Sequence, residues 1–173
     1  MYTLRFTRRL LADVAPGGAD DAAQPPTTAL GDWYIAPMVA QKRELLLCTS
    51  ERRLLSVVLP AEDLADLPEH LAVALVGVLH RLGVPRTAVA SEIDAMTSGD
   101  VGATSNRSII GSMRGIATSA RDFLAASPGE VDVAGLYAHL GGYRSRTTGP
   151  QTAAERAMAL LATPASPAGR RRR

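Results

Sequence analysis

Between Gly31 and Pro60 three apolar runs follow one another, Trp33 to Ala40, Glu44 to Thr49 and Leu54 to Leu59, and only short polar links, Gln41-Lys42-Arg43 and Ser50-Glu51-Arg52-Arg53, separate them. Runs of this length suit strands. Links this short suit hairpins, because parallel strands need a crossover of about a dozen residues or more. The segment therefore predicts a three-stranded antiparallel meander. Leu45-Leu46-Leu47 and Val57-Val58-Leu59 do not alternate polar with apolar residues, so cover is expected over parts of both faces. Pro37 inside the first run calls for an edge position or a bulge, since proline has no N–H to give to a ladder.

The flanking segments add helices. Tyr2 to Phe6 alternates as a short strand, and Thr7 starts a brief helix through Val14. Ala15 to Ala29, with Gly17-Gly18, Asp20-Asp21 and Pro25-Pro26, reads as a flexible loop. After Pro60 the period changes: Leu71, Leu75, Val78 and Leu82 mark the buried face of a helix from Glu69 to Leu82. Pro85 opens another helix with Val89, Ile93 and Met96 inward, and Ser98-Gly99-Asp100 stops it. The clearest stripe is Ile109, Ile110, Met113, Ile116, Ala117, Ala120, Phe123 and Leu124, on a helix that begins near Ser108. Gly111 and Gly115 would each weaken an exposed helix by about 0.8 to 1 kcal/mol relative to Ala, so both are expected where another element packs closely. Short helices are expected at Val131 to Leu140 and Ala153 to Leu161. The whole reads as an α+β fold: the meander and an N-terminal strand in a small antiparallel sheet, packed against several helices. The organisation expected is one domain over residues 1–162 and a disordered basic tail over 163–173.

Composition narrows the function. Four of the nineteen basic residues are Arg170 to Arg173, and without them fifteen face seventeen acidic residues, a net charge of −2. The body thus offers no broad electrostatic footprint for nucleic acid, and only the arginine tail retains that option. Cys48 is the only cysteine, which excludes an intramolecular disulfide or a cysteine-rich zinc site. No apolar run approaches the roughly 18 to 20 residues of a membrane span, and the N-terminus lacks the apolar block of a signal peptide. A cytoplasmic location is expected. His70, His80 and His139 have no metal-binding spacing, no metal or cofactor is expected, and neither Ser108 nor Ser112 sits in a nucleophile elbow.

Two constellations remain. Thr104 to Ser108 places hydroxyls, an amide and a guanidinium at a helix start, where unpaired N–H groups and the helix dipole favour an anion. Asn106, Arg107, Ser108 and Ser112 are the candidate anion-binding residues. The competing reading is that Asn106 or Ser108 simply caps the helix. The second constellation is Trp33 and Tyr34 with Lys42 and Arg43, a candidate stacking or basic patch; the alternative is that Trp33 is a core anchor.

Leu30-Gly31-Asp32-Trp33-Tyr34, Lys42-Arg43-Glu44-Leu45-Leu46-Leu47-Cys48-Thr49-Ser50-Glu51-Arg52 and Asn106-Arg107-Ser108-Ile109-Ile110-Gly111-Ser112-Met113 carry a resemblance. Together they resemble a family of uncharacterised bacterial proteins with G-D-W-Y, K-R-x-L-L-L and R-S-x-x-G-S-M motifs. The resemblance spans Tyr2 to Leu124 and implies a common fold, with no activity to carry over. After Met113, Arg114-Gly115-Ile116 stands where an N-D-F-type continuation is expected. Two readings of function follow. One is a non-enzymatic binding or regulatory protein with a protein partner or an anionic ligand. The other is an enzyme acting on a phosphate-bearing or nucleic-acid substrate through Arg107, Ser108 and Ser112 with Arg5, Arg8 and Arg9.

Overall fold

A computed structural model describes residues 1–16, 25–126, 131–145 and 149–162. The centre of the expected loop, 17–24, and the expected tail, 163–173, lie outside the described residues. The order of elements is β1 (Tyr2–Phe6), α1 (Arg8–Val14), β2 (Trp33–Ala40), β3 (Arg43–Ser50), β4 (Ser56–Pro60), a 3-10 turn (Ala61–Leu64), α2 (Leu67–Arg81), α3 (Arg86–Ala95), β5 (Gly99–Ala103), α4 (Arg107–Ala126), α5 (Val133–Gly141) and α6 (Ala153–Ala162). The fold is α+β.

The strands form one mixed sheet in the order β4-β3-β2-β1-β5. The meander is present: β2 pairs with β3 from Trp33↔Ser50 to Ala40↔Arg43, and β3 with β4 from Leu45↔Pro60 to Thr49↔Ser56, both antiparallel. The N-terminal strand β1 extends it by pairing parallel to β2 on one side and to β5 on the other. The expected all-antiparallel sheet is corrected in this half, because β1 returns to β2 through α1 and a long connection instead of a hairpin.

Strand β5 was not expected, since Gly99-Asp100-Val101-Gly102-Ala103 has poor strand propensity. Its pairing with β1 over five residue pairs explains it. A Cβ on Gly99 would lie 2.9 Å from the Tyr2 ring, and one on Gly102 would lie 2.9 Å from Thr3 Cγ2. The two glycines leave room for side chains of the neighbouring strand, a constraint that propensity does not see.

Each face of the sheet has its own core, because successive side chains point to opposite sides. Tyr2, Leu4, Phe6, Trp33, Ile35 and Cys48 pack with α2, and Leu10 brings α1 to this face. Tyr34, Met38 and Leu47 meet α4 and α5 on the other. The non-alternating β3 and β4 fit this arrangement: Leu46 and Leu47 are both buried, on opposite faces.

Pro37 sits where an edge proline should. Strand β1 pairs with β2 only from Trp33 to Ile35, so Ala36 to Ala40 have no strand on that side. The Ile35 carbonyl accepts from Thr7 N at 3.1 Å, and the Val39 carbonyl accepts from Arg121 Nε at 3.2 Å. Alternate residues of a strand direct their backbone groups to the same side, so the missing N–H of Pro37 falls on the unpaired side and no ladder bond is lost.

One expectation about α4 fails in part. A Cβ on Gly115 would come within 2.7 Å of the Tyr143 hydroxyl, as close packing requires, whereas one on Gly111 would meet nothing within 4 Å. Gly111 lies on the exposed side of the helix, so packing does not account for it.

Candidate functional site

The residues that carry the resemblance fall first into a buried polar clamp. The Asp32 carboxylate accepts from Thr3 N at 2.9 Å and from Arg5 Nε at 2.7 Å, and this is the one ion pair among the described residues. Arg5 also donates through Nη1 to the Ala103 carbonyl at 3.3 Å, which ties β1, β5 and the start of β2 together. From α3, Glu92 accepts the backbone N–H groups of Ala29 and Leu30 at 2.7 and 2.9 Å. The Arg52 guanidinium donates to the Thr28 and Ala29 carbonyls, both at 3.2 Å. Asp32 and Glu92 are each only 2% exposed, a degree of burial that carboxylates tolerate when paired or hydrogen-bonded. Burial holds the Glu92 carboxyl above its ordinary range, while the Leu30 and Ala29 N–H groups and nearby Arg52 pull the other way. Sequence reasoning did not identify Glu92. The available signal was an acid inside the inward stripe of Val89, Ile93 and Met96.

A second feature lies at the carboxyl ends of β1 and β5. The chain leaves β1 toward one face and β5 toward the other, as the separate cores of α1 and α4 show. Adjacent parallel strands whose connections diverge leave a crevice beyond their carboxyl ends, the usual place for ligands in open sheets. Thr104 N donates to the Phe6 carbonyl at 3.1 Å, so the polar run Thr104 to Ser108 stands at this switch point.

The local geometry there is that of a cap. Asn106 Oδ1 accepts from Ser108 N at 3.0 Å and from Ile109 N at 3.4 Å, which uses two first-turn donors that an anion would otherwise take. Arg107 and Ser108 are exposed, and Ser112 is half-buried. Arg107 and Ser112 lie about 140° apart around a helix of 3.6 residues per turn. The four candidates thus share a helix start without converging on one point. Arg5 is engaged with Asp32 and Ala103, while Arg8 and Arg9 are exposed.

The Trp33, Tyr34, Lys42 and Arg43 set is not assembled. Trp33 and Tyr34 are fully buried, on opposite faces of the sheet, and offer no open ring face for stacking. Lys42 and Arg43 are exposed at the β2–β3 turn, roughly 25 Å along the strand from Trp33. His70 and His80 both lie on α2, and His139 on α5 meets Ser119 of α4, Nε2 to Oγ at 2.8 Å, a surface bridge that sequence reasoning also missed. Cys48 is completely buried, and burial pushes its thiol far above the ordinary range.

Beside α4 runs a groove of about 460 Å³. Its floor includes Ala36, Pro37, Leu47, Ile110, Met113 and Ala117, and Thr7, Arg114 and Arg121 stand on its walls. Residues seven apart on a helix fall within about 20° of each other, so Arg107, Arg114 and Arg121 form one row with about 10 Å of rise between neighbours. None of the three has an acidic partner among the described residues, and no described lining residue of the groove is acidic.

These features define an α+β protein with helices on both faces of a mixed sheet and a basic, apolar-floored groove beside its longest helix. The chain belongs to the family described as Domain of unknown function (DUF6933), whose model matches residues 3–144. No curated protein matches it. The matched range takes in the five strands, apart from Tyr2 at the start of β1, and α1 to α5, leaving α6 outside. Among the described residues no helix is long and apolar enough to cross a membrane.

Proposed function

We propose that this protein is a non-enzymatic binding protein for an anionic partner, received along the arginine row of α4 and the groove beside it. The supporting observation is that Arg107, Arg114 and Arg121 line up on one helix face without an acidic partner among the described residues, next to an apolar floor. An exposed arginine surrounded by structural acids would be a solvated surface feature. Three in register on α4, of which Arg114 and Arg121 line a groove with no acid among its described lining residues, instead present uncompensated charge over a span of two heptads, which attracts and orients a negative partner. The enzyme reading finds less support, since the Ser108 and Ser112 side of α4 turns away from this row and Arg5 is engaged in the clamp.

Oligoglutamate titrated into the isotopically labelled protein at low salt tests the proposal. Amide shifts are expected along Arg107 to Arg121 and at Ala36 to Val39, and they should weaken steeply with added salt. The absence of shifts in these segments, or shifts unaffected by Arg107→Glu with Arg114→Glu, would refute it.

A further inference from the structure

We infer that the occupant of this groove is an acidic amphipathic helix of a protein partner, an inference that rests on the proposed anion-binding role of the same groove. The backbone excludes the obvious competitor, an extended segment adding to the open side of β2. A strand docking there would need donors and acceptors at Pro37 and Val39, but Pro37 has no N–H and the Val39 carbonyl already accepts from Arg121 Nε at 3.2 Å. The free edge is closed to a ladder while the groove beneath it stays open.

A helix fits what remains. The apolar floor lies between the strand and α4, where anchors at positions i, i+3 or i+4, and i+7 of a partner can enter side by side. The volume of about 460 Å³ accommodates a few aliphatic side chains and falls within the range of ordinary ligand pockets. The row of arginines repeats with the heptad, so acids seven residues apart on a partner helix lying alongside α4 would meet successive guanidiniums. Nucleic acid is the weaker candidate, because the described lining residues of the groove include no aromatic ring on which a base could stack.

The experiment compares two synthetic two-heptad peptides of equal charge, each with glutamates at heptad spacing, one carrying leucines on the adjoining face and the other serines, and adds a single-stranded oligonucleotide of comparable length. Fluorescence anisotropy should show the Glu/Leu peptide binding at least about tenfold more tightly than the Glu/Ser peptide, with its helicity rising on binding. Arg107→Glu with Arg114→Glu, both exposed positions without side-chain partners among the described residues, should abolish that binding and transfer affinity to a Lys/Leu version of the peptide. Equal binding of the Glu/Leu and Glu/Ser peptides would overturn the helix inference and leave the anion-binding reading standing. Binding of neither peptide would overturn both, and preference for the oligonucleotide would overturn the protein-partner assignment.

Discussion

Replacing Glu92 by alanine tests the clamp that holds the start of β2. In the native fold the Glu92 carboxylate accepts from Ala29 N and Leu30 N at 2.7 and 2.9 Å, and hydrogen bonds to a charged group typically contribute about 1.5 to 3 kcal/mol. Leu30 is 0% exposed, so water cannot replace the lost acceptor at its N–H, and an orphaned buried donor costs about 1 to 3 kcal/mol. Ala29 is partly exposed and can be rehydrated, and removal of a buried carboxylate relieves its own desolvation. The net expectation is a loss of about 2 kcal/mol for Glu92→Ala at neutral pH. Burial raises the folded-state pKa of Glu92 above its ordinary value of 4.5. The stability tied to that shift is therefore fully present below 4.5 and is lost as the pH rises through the folded-state value. Urea denaturation of wild type and Glu92→Ala across mildly acidic to neutral pH should thus show a gap that narrows as the pH rises. A loss below about 0.5 kcal/mol, or a gap that widens with rising pH, would refute this account of the clamp.

Two further outcomes follow from packing. Tyr2 is 1% exposed, its hydroxyl has no partner among the described residues, and burial and then nearby Cys48 push its phenol up to about 12. The associated stability is present below 10.0 and is lost as the pH climbs toward 12, so Tyr2→Phe should match or exceed wild-type stability at neutral pH and show a shallower alkaline decline in thermal melts. Gly111→Ala should raise stability by about 0.8 to 1 kcal/mol in chemical denaturation, whereas Gly115→Ala should fall short of that gain because the new methyl displaces the Tyr143 hydroxyl; equal gains at both sites would refute the packing assignment.

The candidate site was legible only in part. Asn106 and Ser108 were recognisable as a helix start because capping chemistry is local, and Asn106 proves to be the cap. The arginine row was also present in the sequence as a seven-residue repeat outside the apolar stripe, but its neighbour could not be read there. The floor of the groove combines Ala36, Pro37 and Leu47 with α4, segments separated by more than fifty residues. Trp33 left two readings open in the sequence, stacking beside two cations or a core anchor, and the fold decides for the core anchor, because the strand carries the cations to its far end and buries the ring.

What the sequence by itself determined is whatever depends on short-range periodicity and stereochemistry: the three runs of the meander, the stripes of α2 and α4, and the place of Pro37. A strand or helix records its buried face in its own spacing, and a proline records its missing donor wherever it stands. Tertiary structure alone decided that β1 would lie between β2 and β5 in parallel, and that Gly99 to Ala103 would be a strand at all. It also decided that Glu92 would hold the Ala29 and Leu30 backbone and that α4 would stand beside the open side of β2. Each of these relations joins distant segments through shape and hydrogen bonding, and neither propensity nor periodicity carries information about the partner.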